Sequence, residues 1–393
     1  MAIPPNVEPL FGGVIDREPD FEAFVAVCSD PVGSTDPATS DEVILGVPVY
    51  DGDRLRSLVE GQDSGAAPAV AAELADVLGS GSGAILVRRM WSDQGVLDAM
   101  TGALLAIAER ERTEGDGFDH FAASGANSRA WDVLGKAAKL DPRAHVDYYA
   151  NPLLDLVCRA WLGPFYQLTA QLNIVHPGGA AQSPHRDYHL GFLSNDDAGR
   201  FPVHAHRLSQ ALTLQAGIAH SAMPLESGPT VILPGSQRFA GGYLAWRDQR
   251  FIDHFHTHAV QIAMEPGDGL FFNPGLHHGA GSNNTTDRDR IANLLQVSSA
   301  FGVPMEAVDW TGIAIATYPS LLEVAESGEL DDAHIATCAS GYAFPSNLDT
   351  DRSDHGLAPS SLQDLLREAL ASRMTPTEFS EIAQAKANAR RPF

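Results

Sequence analysis

The sequence contains very little lysine. Only three of its 393 residues are lysine, and 50 acidic against 26 basic side chains give a formal net charge of −24. A surface that follows nucleic-acid phosphates, or one that holds an anionic membrane, needs clustered Lys and Arg. The composition therefore predicts that the protein binds neither nucleic acid nor a membrane surface.

Cysteine is equally scarce, and long apolar runs are absent from the sequence. Cys28, Cys158 and Cys338 lie far apart without CxxC spacing, which favours a reducing compartment over a disulfide framework. No stretch of about 18 apolar residues predicts a membrane span. The opening sequence MAIPPNVEPLFGG has no basic region followed by an apolar run, so we predict no signal peptide. The expected compartment is the cytoplasm.

Hydrophobic patterning divides the chain into three parts. Residues 1–82, rich in Pro, Asp, Gly and Ser, predict an N-terminal arm or cover that includes one helix. Residues 83–300 form the predicted main domain, in which helical patterns come first and a β core follows at about 166–300. Residues 301–393 predict a C-terminal helical extension, which we expect either to cover the mouth of the core or to form a subunit contact.

The β core is predicted from short strands separated by Gly, Pro and Asn turns. Residues 167–174 alternate strictly between polar and apolar side chains, which is typical of a half-buried strand. Further strands are predicted at 211–219, 230–234, 258–264, 269–274 and 290–298. This spacing indicates a β sandwich or barrel. Helical patterns at 68–78, 93–112, 127–140 and 151–162 add a flanking layer, so we predict a mainly β fold with flanking helices.

Two segments carry side chains suited to metal binding. In SPHRDYHLGF, His185 and Asp187 are separated by one residue, so on an extended backbone they point the same way. In the second segment, the adjacent pair His277 and His278 is followed by a polar turn and then by Arg290. One more histidine would complete two histidines and one carboxylate, the set that leaves open positions on Fe(II) in non-haem oxygenases. An arginine downstream could pair with a carboxylate through two parallel hydrogen bonds.

Other histidines compete for the metal. His189 extends the first segment to HxDxH and, on a continued strand, would complete a zinc cluster typical of a hydrolase. His254, His256 and His258 also alternate, as on a solvated strand face. A third alternative is a non-catalytic binding protein on the same β scaffold.

Four segments taken together resemble the phytanoyl-CoA dioxygenase family of Fe(II)- and 2-oxoglutarate-dependent oxygenases. In chain order they are GAILVRRMWSDQGVLDAMTGALLAIAERE, HRD, SGPTVILPGSQRF and HHGAGSNNTTDRDRIA, and they cover residues from about 83 to 300. Gln237 stands where the family usually has histidine. The resemblance implies a double-stranded β-helix, a cupin-like jelly-roll core with helices packed outside.

The resemblance also implies the roles of individual residues. His185, Asp187 and His278 match the catalytic metal ligands for Fe(II), and His277 would then point to the opposite face of its strand. Arg290 matches the arginine that binds the distal carboxylate of 2-oxoglutarate.

Some of these assignments stay open. Arg288 competes with Arg290, because the spacing from the last histidine is one residue longer than the family pattern; Arg290 is preferred since it directly precedes an apolar strand. Ala280 replaces a small hydroxyl residue, so one hydrogen bond to the co-substrate is missing or comes from elsewhere. Polar faces of neighbouring strands are expected to line the pocket and bind the co-substrate: Gln171, Asn173, Thr213 and Gln215.

The implied reaction consumes O2 and 2-oxoglutarate, releases succinate and CO2, and hydroxylates a C–H bond of a small organic molecule. Asp187 argues against a halogenase, in which that carboxylate position is vacated for halide. A polyanionic CoA thioester needs a basic rim, so the charge of −24 favours a neutral, zwitterionic or cationic substrate. The sequence leaves the oligomeric state open, a homo-oligomer included.

Overall fold

A computed structural model describes residues 15–30, 37–61, 65–114, 127–353 and 356–391. The strands in these residues are β1 (Glu42–Ile44), β2 (Val47–Asp51), β3 (Ala84–Arg88), β4 (Asn127–Ala130), β5 (Gln167–Val175), β6 (Thr213–Ala219), β7 (Thr230–Ile232), β8 (Val260–Gln261), β9 (Gly269–Phe272), β10 (His278–Ala280) and β11 (Arg290–Ser298). They form a large sheet in the order β1-β2-β3-β9-β6-β11-β5-β4 and a small sheet in the order β10-β7-β8.

The helices are α1 (Phe21–Ser29), α2 (Gly52–Glu60), α3 (Ala66–Gly79), α4 (Gln94–Glu114), α5 (Val133–Leu140), α6 (Pro142–Tyr149), α7 (Pro152–Leu162), α8 (Asn195–Ala198), α9 (Val203–Ala211), α10 (Gly242–Ala245), α11 (Gln249–His258), α12 (Trp310–Ser327), α13 (Asp332–Cys338), α14 (Leu362–Ser372) and α15 (Pro376–Ala389). They contain more residues than the strands. The fold is therefore mixed helix and sheet, and the expectation of a mainly β protein is corrected.

The centre of the large sheet is built on strand β11. It pairs antiparallel with β5 along its whole length, from Arg290 opposite Val175 to Ser298 opposite Gln167, and with β6 on its other side. Side chains alternate across the sheet, so Leu295 belongs to the buried core beside the helices while Gln296 faces the other way. The predicted strands at 167–174, 211–219 and 290–298 are confirmed as β5, β6 and β11.

The N-terminal part is not only an irregular arm, because it adds strands to the large sheet. Strand β2 pairs in parallel with β3, with Val49 opposite Leu86, and thereby joins the large sheet. Val47 and Val49 are buried against Leu86 and Leu270 in one apolar cluster. The run VPVYD is short, and it gives too little alternation to be recognised from the sequence.

Two predicted elements differ locally from the structure. The single helix expected at 127–140 is a short edge strand, β4, followed by α5, whose first turn is capped by Asp132. The strand expected at 258–264 reduces to β8, because residues 249–258 form helix α11 after the cap residue Asp248.

Helices α12 to α15 pack around a second apolar cluster, which they share with α6. Tyr318 of α12 stacks on Phe379 of α15 with ring centroids 4.2 Å apart, and Val146 of α6 belongs to the same buried cluster. Capping boxes at Ser361 and Thr375 open α14 and α15. Within the described ranges, no helix combines the length and the apolar character that a membrane crossing requires.

Candidate active site

A backbone bridge brings the two metal-binding segments together. The N–H of His185 donates to the carbonyl oxygen of His278 at 2.8 Å, and the N–H of His278 donates back at 3.0 Å. Between the two candidate ligands of the first segment, Arg186 points the other way and donates to the carbonyl oxygens of Ser236 and Phe239. His185 and Asp187 therefore share a face, as the alternation of an extended chain requires.

Both imidazoles are oriented by main-chain carbonyls. The Nδ1 atom of His185 lies 2.8 Å from the carbonyl oxygen of Ser183, and that of His278 lies 2.9 Å from the carbonyl oxygen of Leu276. Because a carbonyl oxygen only accepts, each Nδ1 carries the proton and each Nε2 keeps its lone pair. This is the usual way in which proteins fix the tautomer of a metal-binding histidine.

The Asp187 carboxylate completes a compact three-residue group. Its Oδ2 lies 3.8 Å from Nε2 of His185 and 3.6 Å from Nε2 of His278. The candidate ligand atoms of all three residues lie within 4.8 Å of one another, and the described residues hold no other such group. Burial alone would raise the pKa of Asp187, but His185, His278 and a 2.7 Å hydrogen bond from Nε2 of Gln215 outweigh burial and lower it.

These groups line a cavity of about 440 Å³ between the two sheets. The large sheet contributes Gln171, Asn173 and Gln215, and the small sheet contributes Thr230 and Ala280. Apolar side chains complete the walls: Phe192, Trp246, Phe272, Leu294 and Met305. The volume falls in the range of roughly 300–1,000 Å³ that is typical of small-molecule sites.

Arg290 lies in this cavity at the start of β11 and is 5% exposed. Its Nη2 donates to Oδ1 of Asn173 at 3.1 Å, its Nη1 donates to the carbonyl oxygen of Gly228, and its Nε has no partner. Burial, with a smaller contribution from Arg129, lowers the pKa of Arg290 to about 10, so the guanidinium stays charged at neutral pH. Arg288 is exposed in the preceding loop, outside the cavity lining.

Three of the four predicted polar strand residues, Gln171, Asn173 and Gln215, lie in the cavity. Gln171 and Asn173 line it, and Oε1 of Gln171 accepts a 2.7 Å hydrogen bond from Nη1 of Arg129. Thr213 is buried but lies outside the lining; its Oγ1 is 3.3 Å from Nε2 of His189. Thr213 is therefore not among the residues that line the cavity.

Ala280 and Gln237 depart from the family pattern, and the structure shows what surrounds each of them. The N–H of Ala280 donates to Oε1 of Gln182 at 3.1 Å, and both residues line the cavity. The Gln182 amide is therefore a polar neighbour at the position where a hydroxyl is missing. Gln237 lies outside the cavity, where its Nε2 donates to the carbonyl oxygens of Gly79 and Gly81 at 3.3 and 3.0 Å.

The rival histidines lie away from the three-residue group. His189 has a φ of 61°, so the chain leaves the extended conformation after Asp187 and the HxDxH pattern does not share one face. Its ring instead packs on Tyr188, with centroids 4.2 Å apart. His277 is buried on the far side of its strand with its ring 5.1 Å from that of Phe24, as predicted. The remaining three, His254, His256 and His258, lie on helix α11.

Sequence reasoning missed several residues of this site. Arg129 lines the cavity from the edge strand β4, in a segment whose sequence pattern predicts helix. Met305 reaches the cavity from the loop after β11, and no periodic pattern indicates this. For Gln296 a signal was available, because it shares the face of β11 that carries Arg290.

Two imidazole nitrogens and one carboxylate oxygen that converge in a cavity define the non-haem, facial-triad class of metal site. The family model of phytanoyl-CoA dioxygenase matches residues 80–292, which is more than half of the chain. The chain therefore belongs to the phytanoyl-CoA dioxygenase family.

Named relatives share only part of their length with this chain. Dioxygenase FrzG of Cladobotryum sp is 31% identical over 144 residues, which is 36% of this chain and 44% of that protein. Dioxygenase aneA of Aspergillus aculeatus is 26% identical over 173 residues, which is 43% of this chain and 53% of that protein. The chain thus spans about half the length of these relatives.

Among solved structures, the non-haem α-ketoglutarate-dependent carbocyclase SnoK from nogalamycin biosynthesis is similar at 19% identity and a TM-score of 0.44. The match covers 62% of this chain and 86% of that one.

Proposed function

We propose that the protein is an Fe(II)- and 2-oxoglutarate-dependent dioxygenase that hydroxylates an unactivated C–H bond of a small organic molecule. The observation that carries this proposal is the presence of His185, Asp187, His278 and a buried, charged Arg290 in one cavity. The two sheets that enclose this cavity would correspond to the jelly-roll core of a main domain at about 83–300, with a cover at 1–82 and an extension at 301–393.

The three ligand side chains fit Fe(II) in donor type and orientation. His185 and His278 each present Nε2, because each Nδ1 is held by a carbonyl oxygen, and Asp187 presents a carboxylate oxygen. Such a set holds non-haem Fe(II) on one side and leaves the positions on the cavity side open. Bound there, iron and 2-oxoglutarate would supply the oxidation of the substrate by O2, with loss of CO2 from the co-substrate.

Arg290 would bind the distal carboxylate of 2-oxoglutarate. Its guanidinium is buried and charged, its Nε is unpartnered, and Asn173 holds one of its terminal nitrogens. A buried cation without a carboxylate partner is costly, so the co-substrate would satisfy a need that the protein alone leaves open. Gln182, next to Ala280, is placed to contribute a further hydrogen bond.

The apolar walls would keep water away from the reacting carbon. Phe272, Leu294 and Met305 line the same cavity as the ligands, and Trp246 lies with its ring centroid 6.5 Å from that of His185. Excluding water strengthens the charged contacts and limits side reactions. One oxygen atom of O2 would enter succinate and the other the hydroxylated product, so the reaction balances without an external reductant.

The proposal is tested by succinate release in air with Fe(II), 2-oxoglutarate and a panel of small organic molecules. We expect a compound in the panel to stimulate succinate formation and to be recovered with one added oxygen atom. The Asp187→Ala variant should form no succinate above background. Turnover that is indifferent to O2, or that survives in this variant, would contradict the proposal.

A further inference from the structure

Two buried amides in the cavity have hydrogen-bond acceptors that the protein does not use. Gln215 on β6 and Gln296 on β11 stand directly opposite each other in the sheet and line the cavity. They are 3% and 8% exposed, and Oε1 of each is buried without a hydrogen-bond partner. Buried polar atoms are nearly always hydrogen-bonded, so two adjacent unsatisfied acceptors indicate a ligand that brings donors.

The orientation of the Gln215 amide follows from its partner. Its Nε2 lies 2.7 Å from Oδ2 of Asp187, and an ionised carboxylate only accepts hydrogen bonds. The amide nitrogen must therefore face Asp187, and Oε1 must face the opposite side. The acceptor of Gln215 is thus fixed by the chemistry of its neighbour.

The cavity has two chemically different ends. Arg290 and Gln296 share one face of β11 and are six residues apart, which is about 20 Å along a strand. Arg290 offers the unpartnered donor Nε at one end, while Gln215 and Gln296 offer unpartnered acceptors at the other. Ionised 2-oxoglutarate carries acceptors only, so it suits the arginine end and has no donor for the two amides.

We propose that Gln215 and Gln296 form the subsite that receives a hydroxyl or N–H group of the substrate, next to the metal ligand Asp187. This inference rests on the proposed function, because it assigns the arginine end to 2-oxoglutarate. The nearby walls formed by Leu294 and Met305 suit an apolar body attached to that donor group. The substrate class is a small, largely apolar molecule that carries an alcohol, amide or amine hydrogen.

The test measures the binding of matched compound pairs to protein loaded with Zn(II) and 2-oxoglutarate. Zn(II) replaces Fe(II) because the Zn(II)-loaded protein is diamagnetic and inactive. The pairs are benzyl alcohol with benzyl methyl ether, and benzamide with N,N-dimethylbenzamide, titrated by ligand-observed NMR. The variant is Gln296→Met, which keeps the side-chain length but removes both polar atoms. The matched control is Gln249→Met, at an exposed position at the start of α11.

We expect the donor-bearing member of each pair to bind wild-type protein roughly 2- to 12-fold more tightly, the contribution of one neutral hydrogen bond. The preference should vanish in Gln296→Met and persist in Gln249→Met. The subsite is overturned if both members of each pair bind equally, which includes the case that neither binds. It is also overturned if the preference survives in Gln296→Met. Loading is measured first by titrating Zn(II) and 2-oxoglutarate. If loading fails, the proposed function is refuted and the subsite with it, whereas normal loading without discrimination refutes the subsite alone.

Discussion

Replacing Arg290 by leucine should abolish tight binding of 2-oxoglutarate while leaving metal binding intact. Arg290 is 5% exposed, so a carboxylate paired with its guanidinium is shielded from water. Truncating one partner of a buried, hydrogen-bonded charge pair costs about 2–5 kcal/mol. This free energy corresponds to a dissociation constant raised about 30- to 5,000-fold.

Arg290→Lys gives a second measure of the same contact. Lysine keeps the charge but lacks the planar fork of donors that arginine offers to a carboxylate and to Asn173. We expect a smaller loss of affinity than in Arg290→Leu. Both variants are measured by anaerobic calorimetry with 2-oxoglutarate on Co(II)-loaded protein, with far-ultraviolet circular dichroism as the check of folding.

Arg288→Leu is the matched control, because Arg288 is exposed in the loop two residues earlier. It should bind 2-oxoglutarate as wild-type protein does. The assignment is refuted if Arg290→Leu folds and retains wild-type affinity, or if the loss appears in Arg288→Leu instead.

Further predictions concern the metal group, the extension and pH. Gln215→Leu removes the hydrogen bond to Asp187 and should weaken Fe(II) binding about 10- to 100-fold in a chelator competition; unchanged affinity would contradict it. His189→Ala should leave metal affinity unchanged in the same assay, whereas a loss would favour the zinc cluster. Phe379→Ala should lower the free energy of unfolding in urea by about 3–5 kcal/mol, since its ring is fully buried; a loss below 1 kcal/mol would be too small for a core position. Burial lowers the pKa values of His145 and His220 to about 4 and 3. As the pH falls, the two histidines therefore take up protons in the unfolded chain before they do so in the folded protein. Urea melts should show the free energy of unfolding decreasing as pH drops below about 6.5. Constant stability from pH 7 to 5 would refute this.

The local parts of the site could be predicted because short-range geometry fixes them. One intervening residue puts His185 and Asp187 on one face of an extended chain, and alternation along β11 puts Arg290 toward the cavity. The same alternation distinguishes His278 from His277, which points to the far side of the strand. The two-residue period of a strand explains these orientations, whereas the choice of His278 and Arg290 came from the family resemblance.

Contacts between distant segments could not be predicted in this way. The bridge between His185 and His278 joins residues far apart in sequence, and no spacing rule encodes it. Strand β4 is four residues long and lies just before a helix, so the sequence pattern predicts a helix at its cavity residue Arg129. Short strands depend on their neighbours in the sheet for stability, and their own sequence carries a weak signal.

The prediction of a mainly β fold was also wrong for a physical reason. Alternating strands are conspicuous in a sequence, but helices α12 to α15 bury one face against each other and against α6, and so enlarge the helical part. The positive φ of His189, which ends the HxDxH alternation, likewise depends on the surrounding fold.

The most direct test of the central claim is an anaerobic titration of the metal-free protein with Fe(II) and then with 2-oxoglutarate, followed by visible absorption. We predict a weak charge-transfer band that appears only when both are present, saturates at one equivalent of each, and is lost in Asp187→Ala. If no band appears although both components bind, or if the band persists in Asp187→Ala, then the three residues do not hold iron together with 2-oxoglutarate in this cavity.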